Sequence, residues 1–87
     1  MTVIHTLDFE TEAIQDGQPI PPRPVGFSIK ANDLPSYYYA FGHSSGNTHT
    51  WAEAEEVLHD VIGASKCVLF HNAKFDLAVL EHWFHIK

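Results

Sequence analysis

The sequence has a single cysteine, Cys67, and no long apolar run. One cysteine cannot form an internal disulfide, and without a cysteine pair we expect no zinc site, so a reducing compartment is the default. The first residues, Met1 to His5, have neither a basic region nor a long apolar stretch, which predicts no secretory signal. No segment has the length and hydropathy of a transmembrane helix. We therefore expect a cytoplasmic protein without a membrane partner.

Basic residues are also scarce, with five lysines and arginines against eleven aspartates and glutamates and a formal net charge of -6. This balance is opposite to the clustered Lys and Arg that are typical of nucleic-acid-binding surfaces. A hydrophobic content of 45% is typical of a globular protein and argues against intrinsic disorder. A chain of 87 residues has room for one small domain, so residues 1–87 are predicted to form a single unit.

Two carboxylates share one face of a predicted strand near the start of the chain. Val3, Leu7 and Phe9 have one parity and Asp8 and Glu10 the other, an alternation that predicts a β-strand. Residues two apart in a strand lie on one face, about 7 Å apart. A divalent cation can sit between such carboxylates, and oxygen ligands favour Mg²⁺ or Mn²⁺ over zinc. The alternative is a strand whose acidic residues simply face solvent, and an Asp-x-Glu pair alone does not separate the two.

A second pattern follows the apolar run Cys67 to Phe70, which is typical of a buried strand. Asn72 is then a candidate helix N-cap, and Asp76 lies four residues later on an otherwise apolar helix that extends to Phe84. Residues four apart in a helix share one side, which predicts that both side chains lie beside the end of the strand. Asp76 could equally serve only to stabilise the helix N-terminus electrostatically.

The segments between these motifs predict the order β-β-β-α-β-α. The Pro-rich stretch Asp16 to Pro24 is expected to link the first two strands rather than to continue one. Val25–Ile29 and Tyr37–Phe41 read as strands, and Thr50 with Glu53 forms a capping box for a helix from Trp51 to Ile62 that ends near Gly63. Three antiparallel strands are then expected, followed by a helical crossover to a fourth strand parallel to the first. That arrangement brings Asp8, Glu10 and the Asn72–Asp76 turn to one edge of the sheet.

The run Tyr37-Tyr38-Tyr39 has two interpretations. Exposed aromatic rings could stack on the bases of a single strand. Consecutive tyrosines are also what a β-strand prefers, with alternate rings facing the core, and we favour this second interpretation. His43 and His71, close to predicted strand ends, are the histidines best placed to contact a substrate, since two histidines such as His82 and His85 are too few for a zinc site.

Five stretches carry a resemblance to a known family. They are Leu7 to Thr11, Arg23 to Ile29, Tyr37 to His43, the helix Trp51 to Ile62, and His71 to Asp76. In this order they resemble the amino-terminal part of the DEDD-type (DnaQ-like) 3′-5′ exonucleases, above all the proofreading domain of family A DNA polymerases. The resemblance implies an α/β, ribonuclease H-like fold with a mixed sheet.

By this resemblance, Asp8, Glu10 and Asp76 would be the catalytic carboxylates that hold two Mg²⁺ or Mn²⁺ ions. Thr11, Ile14, His71 and Asn72 fall where the family contacts the terminal nucleotide, so the implied partner is the 3′ end of single-stranded DNA. Bound cations would also reverse the local negative charge where a phosphate must lie.

The family has a third motif, which carries a fourth carboxylate and a Tyr or His that orients the attacking water. Our expectation is that this chain stops before that motif, and before the last strand and helix of the fold. Without the third motif, the chain alone is expected to be an inactive or weak enzyme. A polymerase domain or a carboxyl-terminal segment would then be a partner. Two further hypotheses stay open: an inactive domain that binds a nucleic acid end or a partner protein, and a ribonuclease H-like nuclease of other polarity.

Overall fold

The computed structural model describes residues 3–13, 20–65 and 67–86. Four strands and two helices follow one another as β1 (Ile4–Thr11), β2 (Pro24–Ala31), β3 (Tyr37–Ala40), α1 (Trp51–Ala64), β4 (Cys67–Phe70) and α2 (Ala73–Phe84). The predicted order β-β-β-α-β-α is confirmed. β2 begins at Pro24 rather than after it, because proline is tolerated as the first residue of a strand.

The four strands form one mixed sheet in the order β3-β2-β1-β4. β1 pairs antiparallel with β2, and β2 pairs antiparallel with β3. β1 also pairs in parallel with β4, from Ile4 opposite Cys67 to Leu7 opposite Phe70. The predicted crossover through α1 is therefore confirmed, and it makes β1 a central strand with neighbours on both sides.

One face of the sheet carries the hydrophobic core. The core cluster consists of Leu7, Phe9, Phe27, Ile29, Phe41, Ala54, Leu58, Val79, Leu80 and Phe84. Side chains of one parity on β1 and β2 thus pack against both helices. Phe84 stacks on Phe9, with ring centroids 5.9 Å apart, and on Trp51, at 5.1 Å. This aromatic contact joins α2 to β1 and to α1.

The other parity forms what we call the open face of the sheet, which carries Thr6, Asp8, Glu10, Ser28 and Tyr38. These side chains are half-buried or exposed. The alternation predicted for β1 is therefore confirmed, because Leu7 and Phe9 are buried while Asp8 and Glu10 lie on the opposite face. Both acidic residues are thus available at the surface of the sheet.

The two helices begin in different ways. At α1, the Thr50 hydroxyl accepts a hydrogen bond from the Glu53 amide and the Glu53 carboxylate accepts one from the Thr50 amide, which confirms the predicted capping box. α1 continues through Gly63 to Ala64. At α2, Asn72 occupies the N-cap position, but its side chain makes no capping hydrogen bond.

No helix within residues 3–13, 20–65 and 67–86 is long and apolar enough to cross a membrane.

Candidate active site

The candidate site lies where β4 ends beside β1. The last paired residue of β4 is Phe70, opposite Leu7, whereas β1 continues to Thr11. Asp8 and Phe9 therefore have no β4 neighbour, and the first turn of α2 lies next to them. Asp76, in that turn, is only 1% exposed. A carboxylate is thus buried at the carboxyl edge of two parallel strands, where open α/β sheets place their ligand sites.

The carboxylate of Asp76 has one bonded oxygen and one free oxygen. The backbone amide of Asn72 donates to Oδ2 at 3.2 Å. Oδ1 is buried and has no hydrogen-bond partner among the described residues. Buried polar atoms are nearly always paired, and leaving one unpaired costs about 1–3 kcal/mol, so such an atom calls for a physical explanation.

The surroundings of Asp76 act on its charge in opposite directions. Burial raises the pKa of Asp76 above its ordinary value, and the negative charge of Asp8 raises it further. The bond from the Asn72 amide and the nearby His71 lower the pKa, as does the Phe9 amide, which lies near the carboxylate without meeting hydrogen-bond geometry. Burial is the largest effect, and the net shift is upward. The ionised form of Asp76 is therefore held at a cost that a bound cation would offset.

Glu10 is engaged with a different partner. It is exposed, and its Oε2 accepts a hydrogen bond of 2.8 Å from the Tyr38 hydroxyl on β3. Among the described residues, no three His, Cys, Asp or Glu side chains form a group that could hold a metal ion. The structure thus brings Asp8 close to Asp76 but does not gather Glu10 into one cluster with them.

The residues expected near a terminal nucleotide lie around this edge. Thr11 follows a bulge in β1, and its hydroxyl donates to the Glu12 carbonyl at 2.9 Å. His71 and Asn72 are exposed beside Asp76. The prediction that Asn72 is the N-cap residue of α2 is confirmed, but its side chain makes no capping hydrogen bond, and the Asp76 carboxylate instead bonds the Asn72 amide. Ile14 lies outside the described residues.

Tyr38 and His43 were not expected to contact the acidic residues. Tyr39, the last of the three tyrosines, is half-buried and stacks on Phe27 at 5.2 Å, as the strand interpretation of the tyrosine run predicts. Tyr38 instead crosses the open face to Glu10, and its hydroxyl lies 2.9 Å from Nε2 of His43. The sequence signal for this contact is Gly26, a glycine inside a strand opposite Glu10, since such a glycine often marks the close approach of another group.

Comparison with protein-family models, with curated proteins and with solved structures gives no match for this chain.

The donor atoms at this edge are carboxylate oxygens. Asp8 and the free Oδ1 of Asp76 are hard oxygen donors, and Glu10 keeps Oε1 outside its bond to Tyr38. The neighbouring carboxylates of Asp8 and Asp76 repel one another unless a cation or a proton offsets their charge. Oxygen donors of this kind suit Mg²⁺ or Mn²⁺ better than softer metals.

Proposed function

We propose that this chain is a 3′-5′ exonuclease domain of the DEDD type, with a ribonuclease H-like fold, which hydrolyses the terminal phosphodiester of DNA. The motif pattern supports the proposal, as do the strand order β3-β2-β1-β4 and the parallel pairing of β1 with β4. The strand order matters because it puts the two acidic motifs at one edge, although they are far apart in the sequence.

The observation that carries the proposal is the buried, unpartnered Oδ1 of Asp76 next to Asp8. An exposed aspartate at a helix N-terminus contributes about 0.3–1 kcal/mol through the helix dipole, and a buried polar atom is nearly always paired. Asp76 is neither exposed nor fully bonded. In the proposal, Asp8, Glu10 and Asp76 would hold Mg²⁺ or Mn²⁺, and a bound ion would supply Lewis-acid chemistry, which activates water and stabilises charge on the phosphodiester oxygens.

The side chains around the carboxylates would then bind the end of the strand. His71 and Asn72 are exposed and offer ring and amide donors beside Asp76. The Thr11 hydroxyl is half-buried at the end of β1. The net charge of -6 makes binding of a phosphate without a cation unfavourable, so the affinity for DNA should depend on the divalent metal.

The test is degradation of a single-stranded DNA with a label at its 3′ end, in Mg²⁺ or Mn²⁺. The wild-type chain is compared with Asp8→Asn and Asp76→Asn, and with Asp60→Asn as the control, because Asp60 is an exposed aspartate on α1. We expect weak mononucleotide release by the wild type alone and by Asp60→Asn, and roughly 100-fold less in the two site variants, because each lacks a proposed metal ligand. A phosphorothioate linkage at the 3′ end should block release if the polarity is 3′-5′.

Release that Asp8→Asn and Asp76→Asn leave unchanged would contradict the proposal. Release from the 5′ end alone would favour a ribonuclease H-like nuclease of other polarity. The resemblance predicts a fourth carboxylate, and a polymerase domain or a segment that follows residue 87 could supply it. Addition of such a partner should then raise the rate in the wild type and not in Asp76→Asn.

One observation favours a second candidate function, a domain that binds a nucleic acid end or a partner protein without hydrolysis. The described residues contain no group of three metal-binding side chains. This candidate predicts metal-dependent binding of a 3′-ended single strand that is not degraded on prolonged incubation. Fluorescence anisotropy of a labelled strand, followed by analysis of its length, separates the two functions.

A further inference from the structure

A directed chain of hydrogen bonds ends on Glu10. The Tyr38 hydroxyl donates to Oε2 of Glu10 at 2.8 Å and lies 2.9 Å from Nε2 of His43. A phenol has one proton, so if Tyr38 donates to Glu10 its oxygen must accept from His43. The direction is therefore fixed from His43 through Tyr38 to Glu10, and Glu10 keeps Oε1 outside this chain.

Gly26 provides the space for this contact. It lies opposite Glu10 in the β1–β2 pairing and opposite Ala40 in the β2–β3 pairing, so the Tyr38 side chain must cross β2 above it. A Cβ at this position would lie 2.0 Å from the Tyr38 Oη and 2.4 Å from its Cζ. Gly26 does not have a positive φ, so glycine is required here for space and not for backbone conformation.

The loop after β3 holds His43 in place. The His43 amide donates to Oδ1 of Asn47 at 2.9 Å, and Nδ2 of Asn47 donates to the His43 carbonyl at 2.8 Å. This reciprocal pair closes the turn through the polar segment 43–47. The imidazole is thus presented to the Tyr38 hydroxyl by a fixed backbone.

We propose that Tyr38 is a positioning residue that fixes the Glu10 carboxylate for metal binding, supported by His43 and made possible by Gly26. The inference rests on the proposed function, since it requires Glu10 to be a metal ligand. A glutamate on an exposed strand has many rotamers, and immobilising it when the metal binds costs conformational entropy. A hydrogen bond to one carboxylate oxygen removes part of that cost in advance and leaves the other oxygen for the cation.

The experiment measures Mn²⁺ affinity by calorimetry in the whole chain. Tyr38→Phe removes the hydroxyl and keeps the ring. Gly26→Ala displaces the ring without changing Glu10, Tyr38 or His43. Gly63→Ala is the matched control, because a Cβ at Gly63 meets no atom within 4 Å. Glu10→Gln and Asp76→Asn report whether the carboxylates bind the metal at all.

We expect Tyr38→Phe and Gly26→Ala each to weaken Mn²⁺ binding about five-fold, as loss of one charge-assisted hydrogen bond at a partly exposed site implies. The double variant should be no weaker than either single one, because both changes remove the same contact. Gly63→Ala should match the wild type. His43→Gln, which keeps a side-chain donor, should retain more affinity than His43→Ala. The thermal unfolding midpoint of Tyr38→Phe without metal should stay near that of the wild type. If Tyr38 had only a structural role, a fall in Mn²⁺ affinity would be accompanied by a fall in this midpoint.

Two other outcomes overturn the inference in different ways. If Glu10→Gln weakens Mn²⁺ binding while Tyr38→Phe and Gly26→Ala do not, Tyr38 has no positioning role and the proposed function stands. If Glu10→Gln and Asp76→Asn both bind Mn²⁺ as the wild type does, the carboxylates are not the metal ligands, and the proposed function fails together with the inference. If Gly26→Ala does not fold, Tyr38→Phe alone decides whether Tyr38 has a positioning role.

Discussion

The backbone amide of Asn72 donates a hydrogen bond to Oδ2 of Asp76 across the first turn of α2. The same side chain that closes the start of the helix therefore also presents its second oxygen, without a partner, beside Asp8. Helix initiation and the candidate site use one carboxylate. A variant that keeps the acceptor but removes the charge should consequently act on stability and on function in opposite directions, as is common for functional residues.

Replacement of Asp76 by asparagine should stabilise the fold. The variant keeps an acceptor for the Asn72 amide, removes a buried charge and removes its repulsion with Asp8, so we expect the free energy of unfolding to rise by about 1 kcal/mol. Because the pKa of Asp76 is raised in the folded state, its contribution to stability is full below the unfolded pKa and is lost as the pH rises through the folded one.

Urea unfolding at several pH values measures this effect. The gain in Asp76→Asn should be largest at neutral pH and should shrink as the pH falls toward the ordinary pKa of an aspartate. Asp60→Asn removes the same charge at an exposed position, so its free energy of unfolding should stay within about 0.5 kcal/mol of the wild-type value. A lower stability of Asp76→Asn at neutral pH would contradict this account.

A divalent cation should stabilise the wild-type chain if it binds at this edge. Mn²⁺ at about 100 times its dissociation constant should add about 2.7 kcal/mol to the free energy of unfolding. Thermal unfolding with and without Mn²⁺ tests this. Asp8→Asn and Asp76→Asn should lose most of the increase, and an equal increase in both variants would mean that the cation binds elsewhere.

The pKa of Tyr38 is raised to about 12, by burial first and then by its hydrogen bond to Glu10 and the negative charge of that residue. Glu10→Gln should lower this pKa toward the usual value near 10, because two of the three causes are removed. Ultraviolet absorbance of tyrosinate, measured against pH, tests this. Tyr38, one of the three tyrosines, should lose its proton at a lower pH in Glu10→Gln than in the wild type. Glu12→Gln, an exposed neighbour, should leave the titration unchanged.

The same shift has a consequence for stability at high pH. Since Tyr38 loses its proton more readily when unfolded, its contribution is present below pH about 10 and is lost as the pH rises toward 12. Tyr38→Phe should therefore unfold less readily than the wild type at the alkaline end of that range.

Phe84 should be the most costly single truncation on α2. It is 1% exposed and stacks on both Phe9 and Trp51, so Phe84→Ala should lower the free energy of unfolding by about 3–5 kcal/mol. Leu77, on the same helix, is 49% exposed, and Leu77→Ala should cost less than about 1 kcal/mol. Chemical denaturation of both variants measures the difference, and similar losses would show that α2 does not pack on its Phe84 face.

Periodicity was sufficient to predict the architecture. Leu7 and Phe9 alternate with Asp8 and Glu10, so the strand and its two faces follow from a repeat of two residues, and Thr50 with Glu53 defines the start of α1. The parallel pairing of β1 and β4 follows from the crossover rule. These features depend on local pattern and on chain geometry, which the sequence carries directly.

The contacts of individual side chains could not be obtained in this way. Alternation predicts which face Tyr38 occupies but not that its hydroxyl passes over Gly26 to Glu10, since that depends on rotamers and on space across three strands. N-cap preference identified Asn72 as the first residue of the α2 cap but not the side chain that accepts a hydrogen bond there. The acceptor is the Asp76 carboxylate, which bonds the Asn72 amide, and not the Asn72 side chain.

The pairing of Ile4 with Cys67 sets the order in which this molecule can fold. β1, β2 and β3 are sequential neighbours and can form a meander early. The pairing of β4 with β1 instead closes a long loop that contains β2, β3 and α1, and closing a long loop costs more entropy and is slower. Asp76 reaches Asp8 only after β4 has docked. The acidic edge should thus be the last part of the chain to mature, and amide exchange should be slowest in β1 and β2 and faster across β4 and the start of α2.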